Sequence, residues 1–225
     1  MVEKAKKEHT LLKVISLIFF CLIIAICSVI IFFNFTHTYH DVVGPSMQPT
    51  LNMTTTDAVF VSKIKSWGRG DIIVANRNYG IEGGSEKLVI KRVIALSGDK
   101  IKVELIEDEY KIVLIKAGSD QSEVLNEPYL LGDYSTNASL FNKFNKMVKE
   151  QALVLDQDGF LLIEEGKLFY LGDNRAEGCI DCSNYGPMPK EAVRGKVDYI
   201  IYGQKNVVGQ IIKQFFGWGK WELNS

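Results

Sequence analysis

Histidine is scarce in this sequence, and its positions exclude a common kind of hydrolytic site. The 225 residues contain His9, His37 and His40, and no histidine follows residue 40. A Ser–His–Asp triad needs an imidazole within hydrogen-bond reach of the serine. His40 lies six residues before a candidate serine, but residues 34–45 look like a short polar leash that cannot hold an imidazole in place. A nucleophilic serine in this chain therefore needs a different base.

Cysteine is also scarce, and neither sign of charge is in excess. The chain has four cysteines and a formal net charge of −1. Only Cys179 and Cys182 lie beyond the first apolar segment, so the sequence does not favour a four-ligand zinc site. It has no basic stripe, and nucleic acid is not an expected partner. We expect neither a metal ion nor an organic cofactor.

One long hydrophobic run stands out near the N-terminus. Residues 14–33 contain no charge, and twenty helical residues at about 1.5 Å each span the roughly 30 Å hydrocarbon core of a bilayer. Their apolarity on all faces disfavours a buried core helix. A cleaved signal peptide would have a shorter apolar core, and residues 33–37 offer no small-x-small cleavage site. We interpret the run as an uncleaved transmembrane anchor.

The charges that flank this run predict its orientation. Residues 1–13 contain four lysines and two glutamates, and positive flanks remain on the cytoplasmic side. The sequence thus predicts a cytoplasmic tail at 1–13, an anchor at 14–33 and an extracytoplasmic domain at 34–225. We expect membrane lipid to be one partner of the chain.

Beyond the anchor the pattern is mainly that of β-strands. Segments rich in β-branched residues are separated by Gly-, Ser- and Asp-containing turns. We predict strands at 58–61, 71–75, 88–96, 100–105, 110–115, 167–171 and 195–203. Residues 135–151 have helical spacing, and both an amphipathic helical insertion and a surface loop fit them. The aromatic stretch 215–221 fits either a membrane-interface contact or a final packed strand.

A serine and a lysine form the candidate catalytic pair. Ser46 lies between Pro45 and Pro49, and Lys91 lies inside the apolar run 88–96. A buried lysine loses its charge more readily and can then act as a base. From composition alone, a simple turn serine and a surface or ion-paired lysine are the more ordinary interpretations.

Four motifs in order favour the catalytic interpretation. They are residues 46–51 (Ser-Met-Gln-Pro-Thr-Leu), 70–74 (Gly-Asp-Ile-Ile-Val), 91–99 (Lys-Arg-Val-Ile-Ala-Leu-Ser-Gly-Asp) and 172–175 (Gly-Asp-Asn-Arg), the last followed by Asp181 and Tyr185-Gly186. Behind an N-terminal anchor, this set resembles the bacterial-type signal peptidases, the Ser–Lys family of leader peptidases, in their short Gram-positive-like form. The microsomal branch of that family has histidine where this chain has Lys91.

The resemblance implies a fold, an activity and roles for residues. It implies a signal-peptidase-like β-sheet domain behind one anchor, acting as a membrane-bound serine endopeptidase on the signal peptides of exported preproteins. Ser46 would be the nucleophile, its backbone N–H the oxyanion donor, and Lys91 the base. Gly44 stands where some members have a second, hydroxyl donor. The substrate would bind as an added strand, with small side chains at the first and third positions before the cut.

The resemblance also implies residues that support the pair. Asp173 would hold Arg92, next to the lysine, and Arg175 belongs to the same motif. The last motif departs from the family, because Cys179 stands where a serine often bonds the lysine and no arginine follows Asp181. In an oxidising exterior, Cys179 and Cys182 are candidates for a disulfide that braces this loop.

Three other functions remain to be separated. Self-cleaving repressors share a Ser–Lys dyad and a related fold but carry a DNA-binding module instead of a span. A non-catalytic relative could act as an assembly factor for surface fibres or pili. A signal peptidase dedicated to one substrate, such as a pilin, would have the same residues as a general one.

Overall fold

A long N-terminal helix carries the apolar run. The computed structural model describes residues 2–52, 57–131, 137–150, 153–176 and 179–202, with side chains from residue 9 onward. Helix α1 (Val2–Thr36) contains a stretch, His9–Thr36, whose most apolar window has a mean hydropathy of 3.2 and is not buried against the rest of the protein. By length and composition it can cross a membrane.

The remainder of the described chain is mainly β-sheet, as the sequence predicts. The strands are β1 His37–Asp41, β2 Ala58–Ser62, β3 Ile72–Asn76, β4 Leu88–Leu96, β5 Lys100–Ile106, β6 Glu109–Ile115, β7 Ser122–Val124, β8 Leu161–Leu162, β9 Lys167–Leu171, β10 Met188–Pro189 and β11 Val193–Ile201. One seven-stranded sheet has the order β1-β2-β11-β3-β4-β9-β10, and a four-stranded sheet has the order β7-β6-β5-β8. All strand pairs are antiparallel.

The expected leash is partly wrong. Residues His37–Asp41 form strand β1, which pairs with the whole of β2 at one edge of the large sheet. Tyr39 and His40 are buried there. Pairing with β2 therefore fixes a segment whose polar composition had indicated a mobile leash. The other predicted strands are confirmed, and their observed ends differ from the predicted ones by at most two residues. The largest shift is in β11, which begins at Val193; its predicted end, residue 203, lies outside the described residues.

Strand β4 is the centre of the molecule because it is covered on both faces. On one face, Val89 and Val93 belong to a core shared with the small sheet and with a helix, α2 (Ala138–Lys149). On the other face, Leu88 and Ile90 pack in a second cluster with β2, Met47 and Leu51. A strand that is apolar on both sides is expected to be covered in this way.

Two helices complete the described domain. Helix α2 lies within the stretch 135–151, and its Leu140, Phe144 and Met147 face the larger core. Helix α3 (Cys182–Tyr185) is a single turn next to β9. The aromatic stretch 215–221 lies outside the described residues.

A glycine in β11 provides a test of this sheet. A Cβ at Gly195 would lie against the backbone carbonyl oxygen of Ser62 and the side chain of Val61, both in the adjacent strand β2. We expect Gly195→Ala to force the two strands apart and to cost about 1–3 kcal/mol of unfolding free energy. Denaturant unfolding in detergent measures it. Gly68→Ala is the control, because a Cβ there meets nothing within 4 Å; equal midpoints for the two variants would contradict the expectation.

Candidate active site

The candidate serine lies on a short 3-10 turn, Pro45–Met47. The turn is closed by a bond from Gln48 N–H to Pro45 O (3.0 Å), and Leu51 N–H donates to Met47 O (2.8 Å). Met47 and Leu51 are buried in the smaller core, so the apolar residues of the motif hold the turn down. Ser46, between them and the solvent, is only partly buried.

The lysine reaches this serine from β4. Lys91 Nζ donates to Ser46 Oγ over 2.6 Å, and the lysine side chain is among the most buried in the protein, with a relative exposure of 2%. Burial lowers its pKa from the usual value, while Asp181 and Cys179 act in the opposite direction. Low exposure favours the uncharged amine because the ammonium form loses its hydration.

A loop that follows β9 clasps the serine turn from the other side. Asn174 N–H donates to Ser46 O (3.0 Å), and Asn174 Nδ2 donates to Pro45 O (3.1 Å). Gly172 lies so close to Ser46 that an added Cβ would overlap the serine carbonyl oxygen. The glycine and asparagine of the 172–175 motif therefore position the serine backbone.

The same loop is tied to β4 through an ion pair. Arg92 Nε and Nη2 donate to the two carboxylate oxygens of Asp173, over 2.8 and 2.6 Å. Thr50 Oγ1, from the serine motif, donates to Asp173 Oδ2 (2.5 Å). Arg92 also donates to Gly70 O (2.7 Å). Three of the four sequence motifs thus meet at one buried carboxylate, and the fourth contributes this carbonyl.

Arg175 makes a second buried ion pair, with a residue that the sequence did not identify. Its guanidinium donates to both carboxylate oxygens of Glu127, to Asn137 Oδ1 (2.6 Å) and to Gly172 O (2.8 Å). Tyr129 donates to Glu127 (2.8 Å). Nothing in the local sequence around Glu127 or Asn137 indicates this pairing, since both lie in the connection between β7 and α2.

Tyr129 also links the two ion pairs. The Arg92 guanidinium lies 4.0 Å from the centre of the Tyr129 ring, within the range of a cation–π contact. The connection that holds Glu127 and Tyr129 is therefore packed against both arginines of the site.

No arginine follows Asp181 in this chain, and other groups donate hydrogen bonds to its carboxylate instead. Its carboxylate accepts from Gly172 N–H (3.0 Å), Ser183 N–H (3.0 Å) and Ser183 Oγ (2.6 Å). It is the N-cap of α3, in a capping box with Asn184. At an N-cap, a buried carboxylate accepts hydrogen bonds from neutral N–H and O–H groups and needs no cation. These bonds brace the loop although no arginine follows Asp181.

The structure departs from the predicted disulfide. Cys179 and Cys182 are both free and buried. Cys182 begins α3, and its sulfur accepts from Tyr170 N–H (3.3 Å), while Lys143 donates to Cys179 O (2.8 Å). Burial raises the pKa of both thiols. Packing, capping and this lysine bond hold the loop in place of a covalent brace.

The serine turn also has a free backbone donor. The first N–H groups of a helical turn have no partner within it, and the Ser46 N–H makes no hydrogen bond to any described residue. Gly44, at the N-cap, brings no hydroxyl. Among the described residues, no group of three His, Cys, Asp or Glu side chains could hold a metal ion.

Comparison with known proteins assigns the family. The family model described as "Signal peptidase, peptidase S26" matches residues 11–202. The chain belongs to this signal peptidase family. The match spans most of helix α1, both sheets and every motif of the site.

Individual relatives agree with this membership. Signal peptidase I P of Bacillus subtilis subsp. natto is 30% identical over 193 residues, covering 83% of this chain and 88% of that protein. Signal peptidase I S of Bacillus subtilis strain 168 is 27% identical over 187 residues, covering 80% and 85%. A solved signal peptidase I from Enterococcus faecalis covers 60% of this chain and 99% of its own, with 25% identity and a TM-score of 0.38.

The buried pair of Arg175 and Glu127 provides a second test. Glu127→Ala would leave the arginine buried without its anion, which typically costs about 3–5 kcal/mol. We expect a large fall in the free energy of unfolding in detergent. Glu123→Ala is the matched control, because Glu123 pairs with Lys116 at the surface and such pairs contribute about 0–1 kcal/mol. Similar losses in the two variants would show that the buried pair is not specially important.

Proposed function

We propose that this chain is a membrane-bound serine endopeptidase that removes N-terminal signal peptides from exported preproteins, with Ser46 as nucleophile and Lys91 as base. The observation that carries the proposal is the 2.6 Å contact between Lys91 Nζ and Ser46 Oγ at a lysine that is almost fully buried. Family membership supports the reaction class.

The proposed chemistry follows from this contact. Neutral Lys91 takes the proton of Ser46 as Oγ attacks the scissile carbonyl carbon, and the resulting ammonium gives that proton to the leaving amine as the peptide C–N bond breaks. The product is an acyl-enzyme on Ser46. Lys91 then deprotonates a water molecule, which attacks the ester carbonyl. As the ester C–Oγ bond breaks, the ammonium returns this proton to Ser46 Oγ, and the signal peptide leaves with a new carboxylate.

The backbone of the serine turn supplies the oxyanion donor. In each tetrahedral intermediate, negative charge develops on the former carbonyl oxygen, and the free N–H of Ser46 is the donor next to it. Asn174 Nδ2 and Gln48 N–H both donate to Pro45 O, the carbonyl of the same planar peptide unit, so the direction of the N–H is fixed. Arg92, Asp173, Arg175, Cys179 and Asp181 act by holding the dyad, without touching the reacting atoms.

An open strand edge next to Ser46 suits an extended substrate. Strand β9 pairs with β4 only from Arg92 to Leu96, so residues 88–91 have no strand on that edge among the described residues. The amide groups of Lys87 and Val93 point to β3, and backbone direction alternates along a strand. Leu88 and Ile90 therefore direct their N–H and C=O groups to the open edge, where a peptide can add as a strand.

The anchor supports an orientation. With a net positive tail inside and α1 across the membrane, the catalytic domain lies outside the cell, in contact with lipid near the end of α1. That is where preproteins emerge. An assembly factor for fibres would need neither the dyad contact nor the open edge beside it, whereas a dedicated signal peptidase would need both.

The first functional prediction concerns the dyad. Ser46→Ala and Lys91→Ala should each abolish cleavage of a preprotein in detergent or proteoliposomes, as followed by mass spectrometry. Lys91→Arg should also be inactive, because guanidinium keeps its proton. Burial lowers the pKa of Lys91, so the free-enzyme rate should rise with pH as the lysine loses its proton.

Lys190→Ala is the control for this prediction. Lys190 lies at the far end of the large sheet, beside β10, and its loss should leave cleavage unchanged. Substantial activity in Lys91→Ala would end the proposed mechanism, and cleavage by Ser46→Ala would end the proposed nucleophile.

The second functional prediction concerns topology. Protease added to intact cells or protoplasts should digest the domain beyond α1 and spare a tag at residue 1. The physical reason is the positive flank of the anchor. Protection of the domain in intact cells, with digestion only after lysis, would reverse the proposed orientation.

A further inference from the structure

Arg77 shares a sheet face with the catalytic lysine. It follows β3 directly, and its N–H donates to Lys87 O (2.9 Å), which continues the β3–β4 ladder by one residue. Within that ladder Ile73 is opposite Lys91 and Ala75 is opposite Val89. Because side chains alternate along a strand, Arg77 lies on the same face as Ile73 and Ala75, and hence as Lys91.

The guanidinium of Arg77 has no anionic partner among the residues that the structure describes. Its Nη1 atom is buried and has no hydrogen-bond partner in the structure, and no ion pair joins Arg77 to a described carboxylate. Arg92 and Arg175, by contrast, each hold a buried acid. Buried polar groups are normally paired, so an unpaired guanidinium nitrogen on the sheet face of Lys91 calls for an explanation.

Two charged side chains oppose each other at Lys91. Asp181 raises the pKa of the lysine and Arg77 lowers it, in addition to the larger lowering by burial. Cys179 and Cys182 also face Lys91, but burial raises the pKa of both thiols, so they remain uncharged near neutral pH. Tyr170, on the neighbouring strand β9, is uncharged as well because burial raises its pKa.

The two opposing charges differ in their other contacts. The Asp181 carboxylate already accepts three hydrogen bonds from Gly172 and Ser183. These donors hold the carboxylate in place without help from the lysine. Its negative charge would favour the ammonium form of Lys91, which cannot accept a proton.

We propose that Arg77 is a positioning residue of the active site, whose fixed positive charge offsets Asp181 and holds Lys91 in the uncharged form that can take the proton of Ser46. This inference rests on the proposed function. In this role Arg77 acts on the protonation of Lys91 through its positive charge, and it does not contact the substrate.

The experiment is the pH profile of kcat/KM for full-length protein in detergent, with a peptide that spans a preprotein cleavage site. Arg77→Gln keeps an amide donor and removes the charge, and Arg77→Met removes both. For each we expect a several-fold loss at neutral pH that recovers towards the wild-type value at alkaline pH, because the acidic limb moves to higher pH. Arg77→Lys should keep a profile close to that of the wild type.

Arg194→Gln is the matched control. Arg194 pairs with Glu86 at the surface. Removing the charge of Arg194 should leave the acidic limb of the kcat/KM profile at the same pH. A loss of equal size at every pH, or a raised KM with an unmoved limb, would overturn the proposal, since the first is structural and the second indicates substrate contact. An unchanged profile would overturn it too.

The dyad variants keep this test separate from the proposed function. If Ser46→Ala or Lys91→Ala still cleaves the peptide, the proposed function has failed. Suppose instead that both dyad variants are inactive, and that Arg77→Gln and Arg77→Met keep the wild-type melting temperature and an unmoved acidic limb of the pH profile. Only the role of Arg77 has then failed.

Discussion

The desolvation of one lysine is the constraint on which the site depends. An amine can serve as a base only when it is uncharged, and water favours its charged form. Strand β4 meets this requirement because it is covered on both faces, by the two cores that its alternate residues join. The lysine side chain is thereby removed from solvent at the point where it meets Ser46. The fold and the chemistry require the same apolar strand.

The strands could be predicted because their signals are local, whereas the pairing of Ser46 with Lys91 was inferred from the resemblance of four ordered motifs to a known family. Residues 88–96 are apolar on both faces, and the sequence therefore indicated a covered strand that carries Lys91. Strand β1 was missed because its pairing with β2 is a tertiary contact, and its sequence, His-Thr-Tyr-His-Asp, is polar. Glu127 and Asn137 were missed for a related reason: 48 and 38 residues separate them from Arg175, and neither carries a pattern of its own.

The last motif shows how two solutions can satisfy one requirement. A carboxylate buried next to Lys91 must be held in place, and the absence of an arginine after Asp181 suggested that a disulfide held the loop. The chain instead places Asp181 at the N-cap of α3, where backbone N–H groups and Ser183 donate to it. Capping fixes the carboxylate without an ion pair among the described residues, and at the lysine the charge of Arg77 acts against that of Asp181.

The charges of the site balance only when Lys91 is neutral. Asp173 is paired with Arg92, and Glu127 is paired with Arg175, both in buried contacts. The remaining charges facing the lysine are Asp181 and Arg77, which are opposite in sign. Protonation of Lys91 would therefore add an uncompensated cation to a buried volume, which costs free energy. In the proposed mechanism the site would tolerate this cation because the oxyanion forms beside Ser46 as Lys91 takes the proton, so that the two new charges appear and disappear together.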